Sequence, residues 1–257
     1  KYNHLIAKEK MKKNLRIYST ENLKKGKLTL NKKQSHYLKN VMRLELKDKI
    51  SIFNEKDGEW FASIISIKKN ECSILIEDFI KASDIFYDVW LLFAPIKQAR
   101  LDYLSQKTCE MGVKKLFPIF TEYTQVKKIN IDRIRSNLIE AAEQCDFNNI
   151  PEVSEAINFN YILDNWDKFF EDRKVIFCDE ASKSDVLEIL NDQKNKVNSK
   201  WAIIVGPEGG FSDFERNNIE NKNNSMSISL GPRVIRSDTA VVAILAIFQM
   251  IIGDWKK

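Results

Sequence analysis

Histidine and cysteine are scarce in this chain. Two histidines and four cysteines occur in 257 residues, and the cysteines, at 72, 109, 145 and 178, form no C-x-x-C pair and have no histidine near enough to complete a zinc ligand set. A metal-free protein with reduced thiols is expected. No apolar run reaches membrane-spanning length, and residues 1–13 are basic without the apolar core of a secretory signal, so the expectation is a cytoplasmic protein with no membrane partner. The chain begins without Met, and Met11 precedes the first strand-like run at residues 15–18, so the residues before Met11 are set aside from the fold. Internal repeats and low-complexity tracts are also missing, as are the P-loop and G-x-G-x-x-G fingerprints of nucleotide sites.

What is present is ample core and a mild positive balance. Hydrophobic residues make up 44% of the chain, enough for one large domain or two that share an interface. Lys plus Arg number 41 against 36 Asp plus Glu, a net charge of +5 that permits phosphate-bearing partners without demanding them. Local placement of basic residues therefore says more than the total.

Up to about residue 80 the apolar runs are short and strand-like: residues 15–18, 49–53, 60–67 and 72–76. Turn-forming pieces separate them, including residues 54–58, which read as a five-residue hairpin connection. A small β-barrel is the natural closure, because it removes exposed edges. Residues 34–43 interrupt the strands with a helical pattern in which Leu38, Val41 and Met42 share a face, and His36 reads as a packed structural histidine. Beyond residue 84, strands at 89–94, 115–120, 174–178, 201–205 and 227–230 alternate with helices at 98–111, 131–144, 185–190, from 213, and 237–252. Such alternation implies a mostly parallel sheet covered on both faces.

Two segments carry chemistry. Residues 201–205 form a buried-type strand that runs into Gly206-Pro207-Glu208-Gly209-Gly210-Phe211, and three small residues in one loop let backbone approach a ligand. In open α/β sheets ligands bind beyond the carboxyl ends of strands, where this loop falls. On composition alone it reads more readily as a plain strand-to-helix turn, since glycine-rich turns are common, with Ser212 or Asp213 capping the next helix. The second segment is Leu230-Gly231-Pro232-Arg233-Val234-Ile235-Arg236-Ser237-Asp238-Thr239-Ala240. Arg236 has the chemistry to neutralise a phosphate or an anionic base, with Ser237 or Asp238 capping the helix, while the alternative makes both arginines solvated loop residues. Two glycine-bearing loops after two strands of one sheet suggest a single site.

These two segments, with Gln106-Lys-Thr-Cys-Glu-Met-Gly-Val113, Ala141-Ala-Glu-Gln144 and His36-Tyr-Leu-Lys-Asn-Val-Met-Arg43, make the chain resemble the ribosomal RNA small subunit methyltransferase E family, within the SPOUT class of trefoil-knotted methyltransferases. The resemblance runs in order from about residue 15 to the C-terminus. It implies a PUA-like RNA-binding β-barrel over 14–82, a knotted α/β methyltransferase domain over 84–257 and a homodimer. The implied reaction is S-adenosylmethionine-dependent methylation of N3 of a uridine in 16S ribosomal RNA, either as free RNA or in the assembled subunit. Within such a knot, Val205, Gly206, Pro207, Gly209, Gly210, Leu230, Gly231, Val234, Ile235 and Ala240 would hold the cofactor. Two departures stand out. Arg236-Ser-Asp-Thr-Ala240 replaces the family's Arg-Thr-Glu-Thr-Ala, keeping hydroxyl and carboxylate at shorter reach, and Phe147 stands where the family places a basic residue, removing one expected substrate contact.

Uracil N3 bears a proton that must leave for the nitrogen to attack a methyl group, so a base and an anion stabiliser are required. Arg236 is expected to stabilise the developing oxyanion and Glu208 to position or deprotonate the base, with Asp238 as second candidate. Glu208 is equally readable as a carboxylate that only organises its loop. Lys39, Arg43, Lys97, Arg100 and Lys107 are expected phosphate contacts. The apolar helix over residues 241–252 is read as core or dimer interface. Rival readings are a related knotted enzyme acting on a ribose hydroxyl or another RNA position, and a non-catalytic RNA-binding assembly protein.

Overall fold

In the computed structural model, residues 15–69, 71–84, 87–193 and 200–255 are described, so the expectation for residues 1–13 lies outside the described residues. The described residues form two compact units: those within 15–84 together with 142–149, and those within 87–141 together with 150–255.

The first unit is a five-stranded sheet in the order β1 (Arg16–Tyr18), β3 (Lys49–Asn54), β4 (Gly58–Ile67), β5 (Cys72–Lys81), β2 (Gly26–Thr29). All pairings are antiparallel except β1 with β3, and among the described residues no ladder joins β2 back to β1. Its core is the inward row of Ile17, Ile50, Ile52, Ala62, Ile64 and Ile74, the period-2 pattern of a strand with one face turned in. Arg16, only 3% exposed, crosses this unit: its guanidinium stacks on Phe53, pairs with Glu59, and donates to the Ala142 carbonyl and to Asn148, fixing segment 142–149 in place.

Three expectations for this unit change. The hairpin loop holds three residues, because Asn54 pairs with Gly58; Gly58 takes φ 74° and Asn54 Oδ1 accepts from the Lys56 and Asp57 amides. The single helix over 34–43 is instead a short α1 (Lys32–His36) followed by a π-helical turn (Tyr37–Val41), closed by the Met42 amide on the Tyr37 carbonyl. The inserted residue rotates the face, so Leu38 is buried while Val41 is 58% exposed. His36 is exposed, not packed.

The second unit is a wholly parallel sheet, β12 (Ser225–Ile228), β10 (Lys174–Cys178), β11 (Trp201–Val205), β6 (Val89–Phe93), β7 (Lys115–Phe120) and β8 (Glu152–Val153), with β9 (Ile157–Asn158) also on β7. Its helices are α2 (Gln98–Glu110), α3 (Ile131–Cys145, whose last turn counts with the first unit), α4 (Phe159–Asp164), α5 (Trp166–Phe170), α6 (Val186–Gln193), α7 (Asp213–Glu220) and α8 (Ser237–Ile251). β11 is buried at every residue because both its faces are covered: Ala202 and Ile204 enter a cluster with Phe159, Trp166 and Phe177, while Trp201 meets Phe248 of α8 edge-on. Helix α8 packs on α2 and α6, and α4 packs on α7.

Sequence reading passed over α4 and α5. Their signal was there: Phe159, Ile162, Leu163, Trp166 and Phe170 recur at helical spacing and are all buried.

Candidate functional site

Three loops leave the carboxyl ends of the neighbouring strands β12, β10 and β11, and together they line one cleft. Cys178 pairs with Val205 and with Ile228 in the parallel ladders, so the three loops start level with one another. Every residue expected to hold the cofactor lines this cleft: Val205, Gly206, Pro207, Gly209, Gly210, Leu230, Gly231, Val234, Ile235 and Ala240. Glu208 lines it as well. Arg236 and Asp238 are not among its lining residues.

The β11 loop is shaped by what lies beneath it. A Cβ on Gly206 would stand 2.5 Å from the Phe211 ring, so the chain turns there only because no side chain intervenes. Phe211 is buried and meets Phe177 and Phe159 at 4.9 and 5.7 Å between centroids. The loop ends in a capping box, Ser212 accepting from the Glu215 amide while the Glu215 carboxylate accepts from the Ser212 amide. Glu215 also accepts from the Glu122 amide at 2.9 Å. Of the two expected caps for α7, Ser212 is therefore the one used.

The β12 loop departs from expectation at its end. The N-cap of α8 is Arg236, and neither Ser237 nor Asp238 caps. The Ser237 hydroxyl instead donates to the Gly206 carbonyl at 2.7 Å, tying the start of α8 to the glycine loop. Asp238 is buried, its Oδ1 has no hydrogen-bond partner, and Arg236 Nε lies 3.8 Å from it with a side chain 61% exposed.

Glu208 points out of the loop to an unexpected partner. Arg100 Nη1 donates to Glu208 Oε1 at 3.0 Å, so a residue expected to meet phosphate and the expected base are paired to each other. The other expected phosphate contacts are spread out. Lys97 is the exposed N-cap of α2, and Lys107 is tied to Glu110 at 2.7 Å. Lys39 donates to the Lys68 carbonyl at 3.4 Å and Arg43 is exposed, both in the first unit.

Sequence reading missed the β10 side of the cleft, lined by Cys178, Asp179 and Glu180. Burial, and then the Asp179 carboxylate, push the Cys178 thiol up, so it stays protonated and is no thiolate nucleophile. Asp179 is 3% exposed; its Oδ1 accepts from Arg216 and its Oδ2 has no hydrogen-bond partner. Two acids directly after a buried strand, one strand away from a glycine loop, were the available signal. Among the described residues no group of three or more His, Cys, Asp or Glu side chains is arranged to hold a metal, and no helix is long and apolar enough to cross a membrane.

The chain matches the RNA methyltransferase domain model over residues 84–249 and the RNA methyltransferase PUA domain model over residues 30–77. Ribosomal RNA small subunit methyltransferase E of Rickettsia conorii is 32% identical over 212 residues, covering 82% of this chain and 84% of its own. The protein of that name from Buchnera aphidicola subsp. Schizaphis graminum is 32% identical over 238 residues, covering 88% and 92%. A methyltransferase from Legionella pneumophila, solved in complex with the bound cofactor SAM, has a TM-score of 0.82 at 27% identity, covering 93% of this chain and 98% of its own. With a domain model spanning residues 84–249 and two relatives this similar along most of their length, the chain belongs to the RNA methyltransferase family that includes ribosomal RNA small subunit methyltransferase E.

Proposed function

We propose that this protein methylates N3 of a uridine in 16S ribosomal RNA with S-adenosylmethionine as donor, working in the cytoplasm as a homodimer. Residues 14–82 dock the RNA in a barrel-like, PUA-type unit, and residues 84–257 form the methyl-transfer unit with its C-terminal segment threaded as a knot. One observation carries the reading: two glycine-bearing loops, 25 residues apart in sequence counting from Gly206 to Gly231, converge on a single cleft at the carboxyl ends of parallel strands.

The cleft suits that cofactor chemically. Its wall alternates apolar groups (Val205, Phe211, Leu230, Ile235) with carboxylates (Asp179, Glu180, Glu208) and one exposed arginine, Arg233. A ligand with a flat base, hydroxyls and a charged amino-acid end needs such a mixture. When bound, the cofactor supplies an electrophilic methyl group on sulfur.

The chain's own residues do the rest. Glu208 accepts the N3 proton of uracil or holds the base for its departure, and Arg100 keeps the Glu208 carboxylate in one orientation through their ion pair. Arg236, exposed beside the cleft, offers a permanent positive charge to the oxygen that becomes negative as the proton leaves. Asp238 restrains Arg236 from behind. Lys39, Arg43, Lys97 and Lys107 meet RNA phosphates. The dimer uses the outer side of α8, a mostly apolar helix on which Met250 is 65% exposed.

Mass spectrometry of digested small-subunit RNA from cells with and without the gene tests the reading: N3-methyluridine should disappear with the gene, and its persistence at full level would overturn the assignment.

A further inference from the structure

Asp179 presents a problem that the protein alone leaves unsolved. Leaving one oxygen of a buried carboxylate without a donor costs it the hydrogen bonds it had in water, and native chains rarely tolerate that without a reason. Oδ1 is well served, by Arg216 and by the Ala181 amide at 3.2 Å, whereas Oδ2 is buried and unserved among the described residues. The same side chain lines the cleft.

Its position in the sheet says what kind of donor is missing. Cys178 pairs with Val205, so Asp179 stands level with Gly206 on the adjacent parallel strand. A ligand laid against the bare backbone of a glycine loop presents its next polar group sideways, to the neighbouring strand end. An acid at that place in dinucleotide-binding sheets accepts from ribose hydroxyls for this geometric reason. Glu180 adds a second carboxylate at the rim: its Oε1 lies 2.7 Å from where a Cβ on Gly210 would be, and its side chain is 52% exposed. Arg216 reaches both acids, with its Nη2 3.6 Å from Glu180 Oε1, and so balances one of the two negative charges. The remaining charge makes Oδ2 a strong acceptor.

We infer that Asp179 Oδ2 accepts a hydrogen bond from a ribose hydroxyl of the adenosyl cofactor. The assignment rests on the methyl-transfer reading and identifies a binding residue on the β10 side of the cleft. Asp179 contributes to affinity for the nucleoside part; it takes no part in moving the methyl group.

The test is titration calorimetry on the whole protein with S-adenosylhomocysteine and its 2′-deoxy and 3′-deoxy analogues, which needs no turnover. The wild type should bind the parent about tenfold more tightly than at least one deoxy analogue, and Asp179→Asn should bind the parent about tenfold more weakly while losing that preference. Equal wild-type affinity for all three ligands overturns the ribose contact. So does an Asp179→Asn protein that weakens all three equally and keeps the preference, since that marks a purely structural carboxylate. Should the variant not fold, the wild-type comparison decides alone. Failure of the wild type to bind any of the three would instead bring down the methyl-transfer reading itself.

Discussion

Arg100 of α2 and Glu208 of the glycine loop face each other across 3.0 Å, although 108 positions separate them in the chain. The pair is half exposed, so it stabilises the fold by at most about 1 kcal/mol. Its value lies in holding one carboxylate oxygen still.

If Arg100 acts through Glu208, the two are not independent. Arg100→Ala and Glu208→Gln should each lower kcat by roughly 10²-fold, and the double variant should be little worse than either single one. Losses that multiply would show that each residue works alone, with Arg100 serving RNA directly.

Arg236 should behave differently. Its side chain is 61% exposed and does not line the cleft, so Arg236→Ala should leave the melting temperature unchanged and cofactor affinity within about twofold of the wild type while turnover falls roughly 10²–10³-fold. Steady-state kinetics alongside calorimetry reads both, and parallel loss of turnover and affinity would refute the role.

Gly231 sits at φ 105°, and a Cβ added there would meet nothing within 4 Å, so its requirement is backbone geometry rather than space. Gly231→Ala should cost on the order of 1–3 kcal/mol in the β12 loop. Cofactor affinity should drop by tenfold or more, and the melting temperature should fall by several degrees, at roughly 2–4 °C per kcal/mol. Unchanged affinity would mean the loop tolerates a relaxed path.

Asp102 gives a prediction for acid. Hydrogen bonds from Arg133 above all, with Gln98 and Asn137, outweigh the opposing effect of burial and lower its pKa to about 2, tying α2 to α3. Because the folded value lies below the ordinary one near ~4, the unfolded chain takes up the proton first as pH falls. This contribution to stability is complete above about pH 4 and disappears on the way to pH 2. In Asp102→Asn, the wild-type stability advantage should shrink across that window in urea titrations, and a constant difference would contradict the assignment.

In the first unit, Arg16→Met should be severe. Arg16 and Glu59 have side chains only 2% and 6% exposed, and removing one partner of such a pair leaves the other charge buried, at a cost of roughly 3–5 kcal/mol in a denaturant midpoint experiment.

The sequence made the strands of the second unit readable because β6, β7, β10 and β11 are dense apolar runs bounded by turns. It made the cleft readable because two glycine-bearing loops follow two strands of one sheet, a pairing that says more than either loop alone. The rest depended on information that does not repeat along the chain. The π-helical turn at Tyr37–Val41 differs from an α-helix by one inserted residue, which no 3.6-residue pattern reports. Ser237 was expected to cap its own helix, yet its hydroxyl finds the Gly206 carbonyl, a partner 31 positions away. Asp179 looked like any acid after a strand, and only the ladder placing Cys178 opposite Val205 reveals which loop it faces. Arg100 and Glu208 were each legible as charged site residues, but their mutual attraction was not.

Phe211 has one further implication. Glycine-rich bends are ordinarily the softest part of a chain, but the underside of this one is a ring lodged among Phe159 and Phe177, so the bend inherits the stiffness of the interior. Heat resistance and ligand grip are thereby yoked: a hole cut at Phe159, with no contact to any ligand, would let the bend sag from beneath. Across a series of interior variants, melting point and cofactor affinity should fall together.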